Sequence, residues 1–414
     1  MSSSSALEVE LQSLAFGGDA LGRLPDGRTV FVPFGLPGEK VAIRLVEDKA
    51  RHARGEVVEI LQASPERVEA RCRHYGACGG CHYQHLAYPA QLASKQAILA
   101  EQLQRIARIS NPPVQQSVAS PLAWGYRNFM QFHQTSQGAL GLLKPRSNEV
   151  FPLQECHLPE EALNAAWPLL EFEPIPGLER IGLRVGAGDD LQLILECNTP
   201  ETPDLSIEDL PLSVVHLSPW GSLLLAGSQS VQIEGLGRPF RVSAGSFFQV
   251  NRRVAEAMVE HLLASLPLTP GVSLLELYCG VGLFSAFLAP RVARLVGVEA
   301  SSQACSDFEY NLDEYDNVEL YEAPAEHVIE SLDIHADIVL VDPPRAGLGR
   351  EVIRGLLAMQ PQQIAYISCD AATLARDARA LIDGGYHLAH ITPFDVFPQT
   401  FHIESISQWV KAKD

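Results

Sequence analysis

Two residues near the C-terminus have side chains that together suit nucleophilic catalysis. Cys369 follows the apolar run Ile364-Ala-Tyr-Ile-Ser and precedes a helical pattern, so we expect it at the start of a helix. A helix N-terminus lowers the pKa of a thiol and increases the thiolate population that a nucleophile needs. Glu404 alternates with His402 along an expected strand, and its carboxylate is a candidate general base beside the cysteine. A buried packing cysteine and a solvated edge-strand pair are the structural alternatives.

A glycine-containing turn joins an apolar strand to a helical stretch in Leu274-Leu-Glu-Leu-Tyr-Cys-Gly-Val-Gly-Leu-Phe. Gly280 and Gly282 allow the backbone to pass close to a nucleoside, and Glu299 at the end of the next strand offers a carboxylate to ribose hydroxyls. The third glycine of the dinucleotide motif is missing. The pattern therefore favours a single-nucleoside cofactor such as S-adenosylmethionine over NAD, and a simple packing turn is the alternative.

An acidic residue also ends a later apolar strand, in Val339-Leu-Val-Asp-Pro-Pro-Arg. The two prolines after Asp342 predict a rigid loop over the crevice in which open α/β sheets bind ligands. A surface turn is the alternative, but it would not need a buried strand leading into it. Asp342 is therefore a second candidate ligand-binding carboxylate.

Four cysteines form a separate group of candidate ligands. The chain has eight cysteines and no secretory signal at its N-terminus, so we expect a cytoplasmic protein with reduced thiols. Four thiolates bind either zinc or an iron–sulfur cluster, and the spacing does not separate the two. Glycines between the first three favour a backbone wrapped around a bound group over plain packing. The four cysteines are Cys72, Cys78, Cys81 and Cys156.

The type of secondary structure that the sequence predicts around these residues differs from one part of the chain to the next. Short alternating runs over 8–60 predict a small β-barrel, and the spacing over 88–109 predicts a helix. Positions 125–245 are strand-rich. From 252 onward, buried strands alternate with helices, which indicates a parallel, doubly wound α/β sheet. The carboxyl ends of its strands meet at one edge, which is where the candidate residues lie.

Three domains follow from this pattern. The expected domains are a barrel over 1–64, a central domain over 65–244 that contains the cysteine group, and an α/β domain over 245–414, on which the helix at 88–109 packs.

The charge is distributed unevenly between these parts. The chain has 414 residues and a formal net charge of −19, which by itself argues against a nucleic-acid partner. Positions 61–150, however, hold 9 basic and 4 acidic residues. No apolar run is long enough to span a membrane. The basic segment therefore predicts a restricted RNA-binding face, with candidate contacts at Arg67, Arg71, Arg73, Lys95, Arg105, Arg108, Arg127, Tyr75, Tyr83 and Tyr88.

In this order, the motifs resemble those of the RNA uracil-5 methyltransferase family over nearly the whole chain. The resemblance implies a class I, Rossmann-like methyltransferase domain preceded by an OB-like TRAM barrel, an RNA-binding module. The segments that carry it are Ala244-Gly-Ser-Phe-Phe-Gln-Val-Asn, Leu277-Tyr-Cys-Gly-Val-Gly, Gly297-Val-Glu, Asp342-Pro-Pro-Arg-Ala-Gly, Ser368-Cys-Asp, Ala372-Thr-Leu-Ala-Arg-Asp and Phe397-Pro-Gln-Thr-Phe-His-Ile-Glu.

The resemblance also implies roles for individual residues. Cys369 corresponds to the nucleophile and Glu404 to the general base. One departure is Leu283, at a position that is often polar in relatives. The implied contacts to S-adenosylmethionine are Gln249, Tyr278, Glu299 and Asp342, with Gly280 and Gly282 in the cofactor loop; the implied ligands of a 4Fe-4S cluster are Cys72, Cys78, Cys81 and Cys156.

The implied reaction is methylation of carbon-5 of a uridine in RNA. Addition of a thiolate at carbon-6 makes carbon-5 nucleophilic, and a base must afterwards remove the carbon-5 proton. Cytosine-modifying relatives carry Pro-Cys on the fourth-strand loop, whereas Pro344-Arg345 occupies it here, which favours uracil. We expect a monomer that acts on 23S ribosomal RNA. The T-loop uridine of transfer RNA is the alternative substrate, and a non-catalytic RNA-binding iron–sulfur protein is the alternative function.

Overall fold

The computed structural model describes residues 6–203, 211–332 and 334–412. Its first part contains the strands β1 (Leu7–Leu14), β2 (Ala20–Arg23), β3 (Thr29–Val32), β4 (Lys40–Asp48) and β5 (His52–Gln62). They form a closed barrel in the order β1-β2-β3-β5-β4. The alternating pattern turns Val9, Leu11 and Val41 into the barrel, where each is at most 2% exposed. The predicted small β-barrel is confirmed.

An irregular segment with the first three cysteines leads from the barrel to the helix α1 (Tyr88–Arg105). The helix ends before the predicted Ile109, because Arg108 adopts a left-handed backbone conformation with φ of 60°. Its apolar face is buried, and Leu99 belongs to the same core as Leu374 of the C-terminal domain. Helix α1 therefore joins the barrel side of the molecule to the C-terminal sheet.

The middle of the chain forms a second sheet and a short hairpin. Its elements are β6 (Phe129–Gln134), β7 (Leu140–Leu143), β8 (Val150–Pro152), α2 (Glu161–Ala166), β9 (Leu178–Val185), β10 (Leu191–Cys197), β11 (Leu212–Ser218), β12 (Gly221–Ala226), and the hairpin strands β13 (Ser230–Gly235) and β14 (Arg238–Ser243). The sheet has the order β12-β11-β10-β9-β6-β7-β8. Among the described strands of this sheet, β10 and β11 pair in parallel and the other neighbouring pairs are antiparallel.

The C-terminal part alternates strands with helices, as the sequence predicts. Its elements are α3 (Arg252–Ser265), β15 (Ser273–Leu277), α4 (Ser285–Leu288), β16 (Arg294–Glu299), α5 (Ser302–Asn311), β17 (Val318–Glu322), α6 (Ala325–Val328), β18 (Ile338–Val341), α7 (Arg350–Met359), β19 (Gln363–Ser368), α8 (Ala371–Asp383), β20 (Tyr386–Phe394) and β21 (Glu404–Lys411). The strand order is β17-β16-β15-β18-β19-β21-β20. Within the described ranges, no helix is long and apolar enough to cross a membrane.

This sheet is mixed rather than wholly parallel. Strands β15 to β19 run parallel, whereas β21 pairs antiparallel with both β19 and β20. The loop at 395–403, called here the base loop, turns the chain back after β20, so that β21 inserts between β19 and β20. His402 lies in this loop and not on the expected strand with Glu404, because β21 begins only at Glu404.

Candidate active site

The carboxyl ends of four parallel strands meet at one edge of the C-terminal sheet. Each strand presents one sequence-predicted residue there. Tyr278 follows β15, Glu299 ends β16, Asp342 follows β18 and Cys369 follows β19. The backbone N–H of Asp342 donates to the carbonyl of Leu277 at 3.3 Å, which joins the ends of β18 and β15.

The antiparallel strand β21 brings Glu404 to the same edge. Ser368 at the end of β19 pairs with Ser405 of β21. One step further in this register, Cys369 lies opposite Glu404. The Glu404 carboxyl also contributes to the electrostatic environment of the Cys369 thiol. The structure therefore places the candidate nucleophile and the candidate base side by side.

The expected low pKa of the Cys369 thiol is wrong. Burial raises the pKa of this half-buried thiol to about 12, and the Glu404 carboxyl adds to the rise. The first amides of α8 are already taken, since the Asp370 carboxylate accepts hydrogen bonds from the N–H groups of Ala372 at 3.0 Å and Thr373 at 2.9 Å. The Cys369 thiol is therefore protonated at neutral pH in the free protein.

Burial also raises the pKa values of the carboxyls around the thiol. Glu404 is 4% exposed, and its pKa lies well above the usual range. Burial is the main cause, and the nearby Asp342 carboxyl adds to the rise. Burial raises the pKa of Asp342 to about 7. Arg345 on the following loop opposes these shifts and lowers the pKa values of both Glu404 and Cys369. Burial thus favours the protonated form of all three groups, and strongly shifted pKa values of this kind are typical of functional sites.

Sequence reasoning missed a further carboxyl, Glu276 on β15. Its side chain is 1% exposed, and burial raises its pKa to about 8. The Ser285 hydroxyl donates to one carboxyl oxygen, Oε2, whereas Oε1 has no hydrogen-bond partner within the described part of the chain. A glutamate between leucines in a buried strand is unusual and was the available signal.

The glycine loop and Glu299 form a compact unit beside these residues. Tyr278 and Gly280 both adopt positive φ, at 63° and 54°. The N–H of Gly280 donates to Oε2 of Glu299 at 3.0 Å, while Oε1 accepts the N–H groups of Ala300 and Ser301, each at 2.8 Å. A side chain at Gly280 would meet only open space. The loop backbone therefore faces an open volume next to the Glu299 carboxylate, which accepts three backbone hydrogen bonds and keeps one lone-pair site on Oε2.

Gln249 lies in the segment before α3. Its side chain is 8% exposed, and its backbone carbonyl accepts a hydrogen bond from Nδ2 of Asn128 at 3.1 Å. The neighbouring Phe248 and Val250 share an apolar core with Val281 of the glycine loop. Packing thus places Gln249 on the side of the sheet that holds the glycine loop.

Comparison with known proteins shows which family the chain belongs to. The tRNA (uracil-5-)-methyltransferase family model matches residues 227–411, and the TRAM domain model matches residues 5–58. An uncharacterized RNA methyltransferase from Streptomyces avermitilis is 34% identical, with 97% of each chain covered. One from Aquifex aeolicus is 35% identical, again with 97% of each chain covered. The chain belongs to the tRNA (uracil-5-)-methyltransferase family.

A solved structure shares the fold of this family member. The Pyrococcus abyssi tRNA (uracil-54, C5)-methyltransferase, solved in complex with S-adenosyl-L-homocysteine, is 23% identical and has a TM-score of 0.75. The match covers 98% of this chain and 100% of that one. The methyltransferase fold and the N-terminal TRAM barrel that the sequence predicts are therefore confirmed.

In this tRNA (uracil-5-)-methyltransferase family member, Cys156 is distant in sequence from the other three cysteines, but all four line one cavity. Cys72, Cys78, Cys81 and Cys156 surround a space of about 20 Å³. Within the described ranges, no group of three or more His, Cys, Asp or Glu side chains has the arrangement of a metal site. The donor set suits a metal or cluster, but the predicted 4Fe-4S cluster itself stays a prediction.

Three of the candidate RNA contacts are buried or bonded within the protein and are not free on its surface. Lys95 is 2% exposed and Tyr83 is fully buried. Arg67 forms an ion pair with Oε1 of the buried Glu39 at 2.6 Å. Lys95 and Tyr83 are therefore not available to an RNA surface, whereas the partly exposed Arg67 is held by Glu39. Arg71 remains exposed and lies over the ring of Trp124, with 5.4 Å between the guanidinium carbon and the ring centroid.

Proposed function

We propose that this protein methylates carbon-5 of a uridine in RNA with S-adenosylmethionine as the methyl donor. The observation that carries the proposal is the shared strand register of Cys369 and Glu404 at the ligand-binding edge of the sheet. A nucleophilic thiol and a base on adjacent strands are the two groups that this reaction needs.

The glycine loop fits the nucleoside part of S-adenosylmethionine. The open volume beside Gly280 and the remaining lone-pair site on Oε2 of Glu299 suit a ribose hydroxyl group. Tyr278 and Asp342 lie at the same edge of the sheet, and together with Gln249 they complete the proposed contacts. The S-adenosyl-L-homocysteine bound to the Pyrococcus abyssi relative supports this cofactor.

The residues of the site divide the chemistry between them. S-adenosylmethionine supplies an electrophilic methyl group when bound. The half-buried Cys369 thiol loses its proton to water, and its sulfur adds to carbon-6 of uracil while the electron pair of the ring double bond forms an enolate. Once carbon-5 has been methylated, the Glu404 carboxylate removes the carbon-5 proton. The double bond then re-forms and the Cys369 sulfur leaves as a thiolate.

The preferred substrate in this proposal is 23S ribosomal RNA, bound by a monomer. The preference rests on the combination of a TRAM barrel with a four-cysteine segment, next to the basic positions 61–150. The T-loop uridine of transfer RNA is the second substrate to be tested.

We also propose a 4Fe-4S cluster at the four cysteines. Four thiolates that converge on one cavity are a suitable donor set for it. The proposed role is structural, because uridine methylation requires no electron transfer.

The test of the reaction is the variant Cys369→Ala on RNA that lacks 5-methyluridine. We expect complete loss of methyl transfer, because the ring is no longer activated, while Cys197→Ala, a buried cysteine of the central sheet, keeps the wild-type rate. Wild-type turnover by Cys369→Ala would contradict the mechanism. S-adenosylmethionine binding without any turnover by the wild-type protein would support the non-catalytic alternative.

The substrate is tested by mass spectrometry of RNA from cells that lack the protein. We expect 5-methyluridine to disappear from 23S ribosomal RNA and to persist in transfer RNA. The reverse pattern would assign the protein to the T-loop.

A further inference from the structure

The base loop, residues 395–403, determines where Glu404 lies. It joins β20 to β21 and ends directly before Glu404. Gln399 at its centre adopts a left-handed conformation with φ of 68°, which is unfavourable for a non-glycine residue. Such a conformation persists only where surrounding contacts enforce it.

One set of contacts comes from residues 63–87 between β5 and α1, called here the cysteine-bearing segment. The backbone N–H groups of His82 and Tyr83, directly after Cys81, both donate to the carbonyl of Gln399, at 2.8 and 3.0 Å. Two amide donors on one carbonyl fix the orientation of that peptide group. The segment that carries the third cysteine is therefore bonded directly to the base loop.

A second set comes from Gln91 on α1, a side chain 1% exposed. Its Oε1 accepts the backbone N–H of Gln399 at 3.0 Å, and its Nε2 lies 3.0 Å from Oε1 of Gln399. The same Nε2 also donates to the carbonyls of Tyr83 at 3.1 Å and Leu86 at 2.9 Å. One amide group therefore bridges α1, the cysteine-bearing segment and the base loop.

Lys95, one turn further along α1, holds the start of the same loop. Its Nζ donates to Oδ1 of Asp395 at 2.5 Å and to the carbonyl of Phe397 at 3.0 Å. The side chains of Lys95 and Asp395 are 3% and 1% exposed. Helix α1 thus contacts the base loop at two points that are both shielded from water.

We propose that Gln91 is a positioning residue for Glu404, which it aligns by bonding the base loop to the cysteine-bearing segment. The proposal rests on the proposed function, in which Glu404 removes the carbon-5 proton. Cys369 lies on the other strand and does not depend on this bridge. Loss of Gln91 therefore slows proton removal and leaves thiol addition and substrate binding intact.

The test compares Gln91→Leu with Gln102→Leu in the full-length protein on RNA free of 5-methyluridine. Gln102 is buried on the same helix, roughly 16 Å further along its axis at 1.5 Å per residue. For Gln91→Leu we expect kcat to fall on the order of 10- to 100-fold, because small misplacements of catalytic groups have such effects. We expect unchanged KM values, more SDS-stable protein–RNA adduct, and faster hydrogen exchange over 395–403. Gln102→Leu is expected to match the wild type in all four.

Gln91→Asn, which keeps the amide but is one methylene shorter, replaces the leucine variant if the latter does not fold. A wild-type kcat, or a fall in kcat without more adduct, would overturn the positioning role. Absence of methylation by the wild-type protein would instead overturn the proposed function, so the two failures are distinguishable.

Discussion

Cys369 directly follows β19 and Glu404 begins the antiparallel strand β21, so the pairing of Ser368 with Ser405 brings Cys369 and Glu404 next to each other. The proximity affects the thiol, because a carboxylate next to a thiol disfavours the thiolate. Burial and Glu404 together raise the pKa of Cys369 to about 12. The candidate base therefore influences the candidate nucleophile in the free protein.

The variant Glu404→Gln is expected to lower the pKa of Cys369. The substitution removes a negative charge that disfavours the thiolate, so the thiolate population at a given pH increases. The alkylation rate of Cys369 by iodoacetamide, followed by mass spectrometry from pH 7 to 10, is expected to rise at lower pH than in the wild type. Cys305, buried on α5, serves as an internal control. An unchanged profile for Cys369 would show that the two groups are not coupled.

Glu404→Gln is also expected to trap the protein on its RNA. An amide does not accept the carbon-5 proton, so the sulfur of Cys369 stays bonded to carbon-6 after methylation. We expect turnover to fall on the order of 100-fold or more and a protein–RNA adduct to survive SDS gel electrophoresis. The double variant with Cys369→Ala should form no adduct. Fast turnover by Glu404→Gln would assign the base to another residue.

Glu276 is expected to make stability depend on pH. Its pKa is about 8 in the folded protein, above the usual glutamate value, so the folded state binds the proton more tightly than the unfolded state. This stabilising contribution is complete below about pH 4.3 and is lost as pH rises toward 8, at about 1.4 kcal/mol per pH unit. Glu276→Gln carries no such proton.

The measurement is the free energy of unfolding in urea at pH 5 and pH 8. Between these values, Glu276→Gln is expected to lose less stability than the wild type, whereas the exposed control Glu309→Gln should follow the wild type. Equal losses for Glu276→Gln and the wild type would contradict a raised pKa at Glu276.

Substitution of one cavity cysteine is expected to remove the proposed cluster. Protein purified without oxygen should contain about four iron and four sulfide per chain, and Cys81→Ser should lose both and unfold at a lower temperature, since bound metal stabilises the folded state. Cys305→Ser, outside the cavity, should retain them. Stoichiometric zinc in place of iron would assign a zinc site.

The sequence by itself determined the chemical groups and the general fold. Apolar strands alternating with helices indicated the α/β domain, and their carboxyl ends marked Glu299, Asp342 and Cys369. Short alternating runs indicated the barrel. These features are local, because periodicity and turn residues depend on neighbours within a few positions.

Only the tertiary structure decided how these groups interact. The insertion of β21 between β19 and β20 places Glu404 beside Cys369. It depends on a strand pairing in which the order in the sheet differs from the order along the chain. The ion pair of Lys95 with Asp395 joins residues 300 positions apart. Because no local pattern shows this partner, the sequence alone predicted an RNA contact for Lys95. Burial reversed the expected pKa shift of Cys369. Burial and charge coupling arise from contacts between distant segments, and no local pattern of residues encodes them.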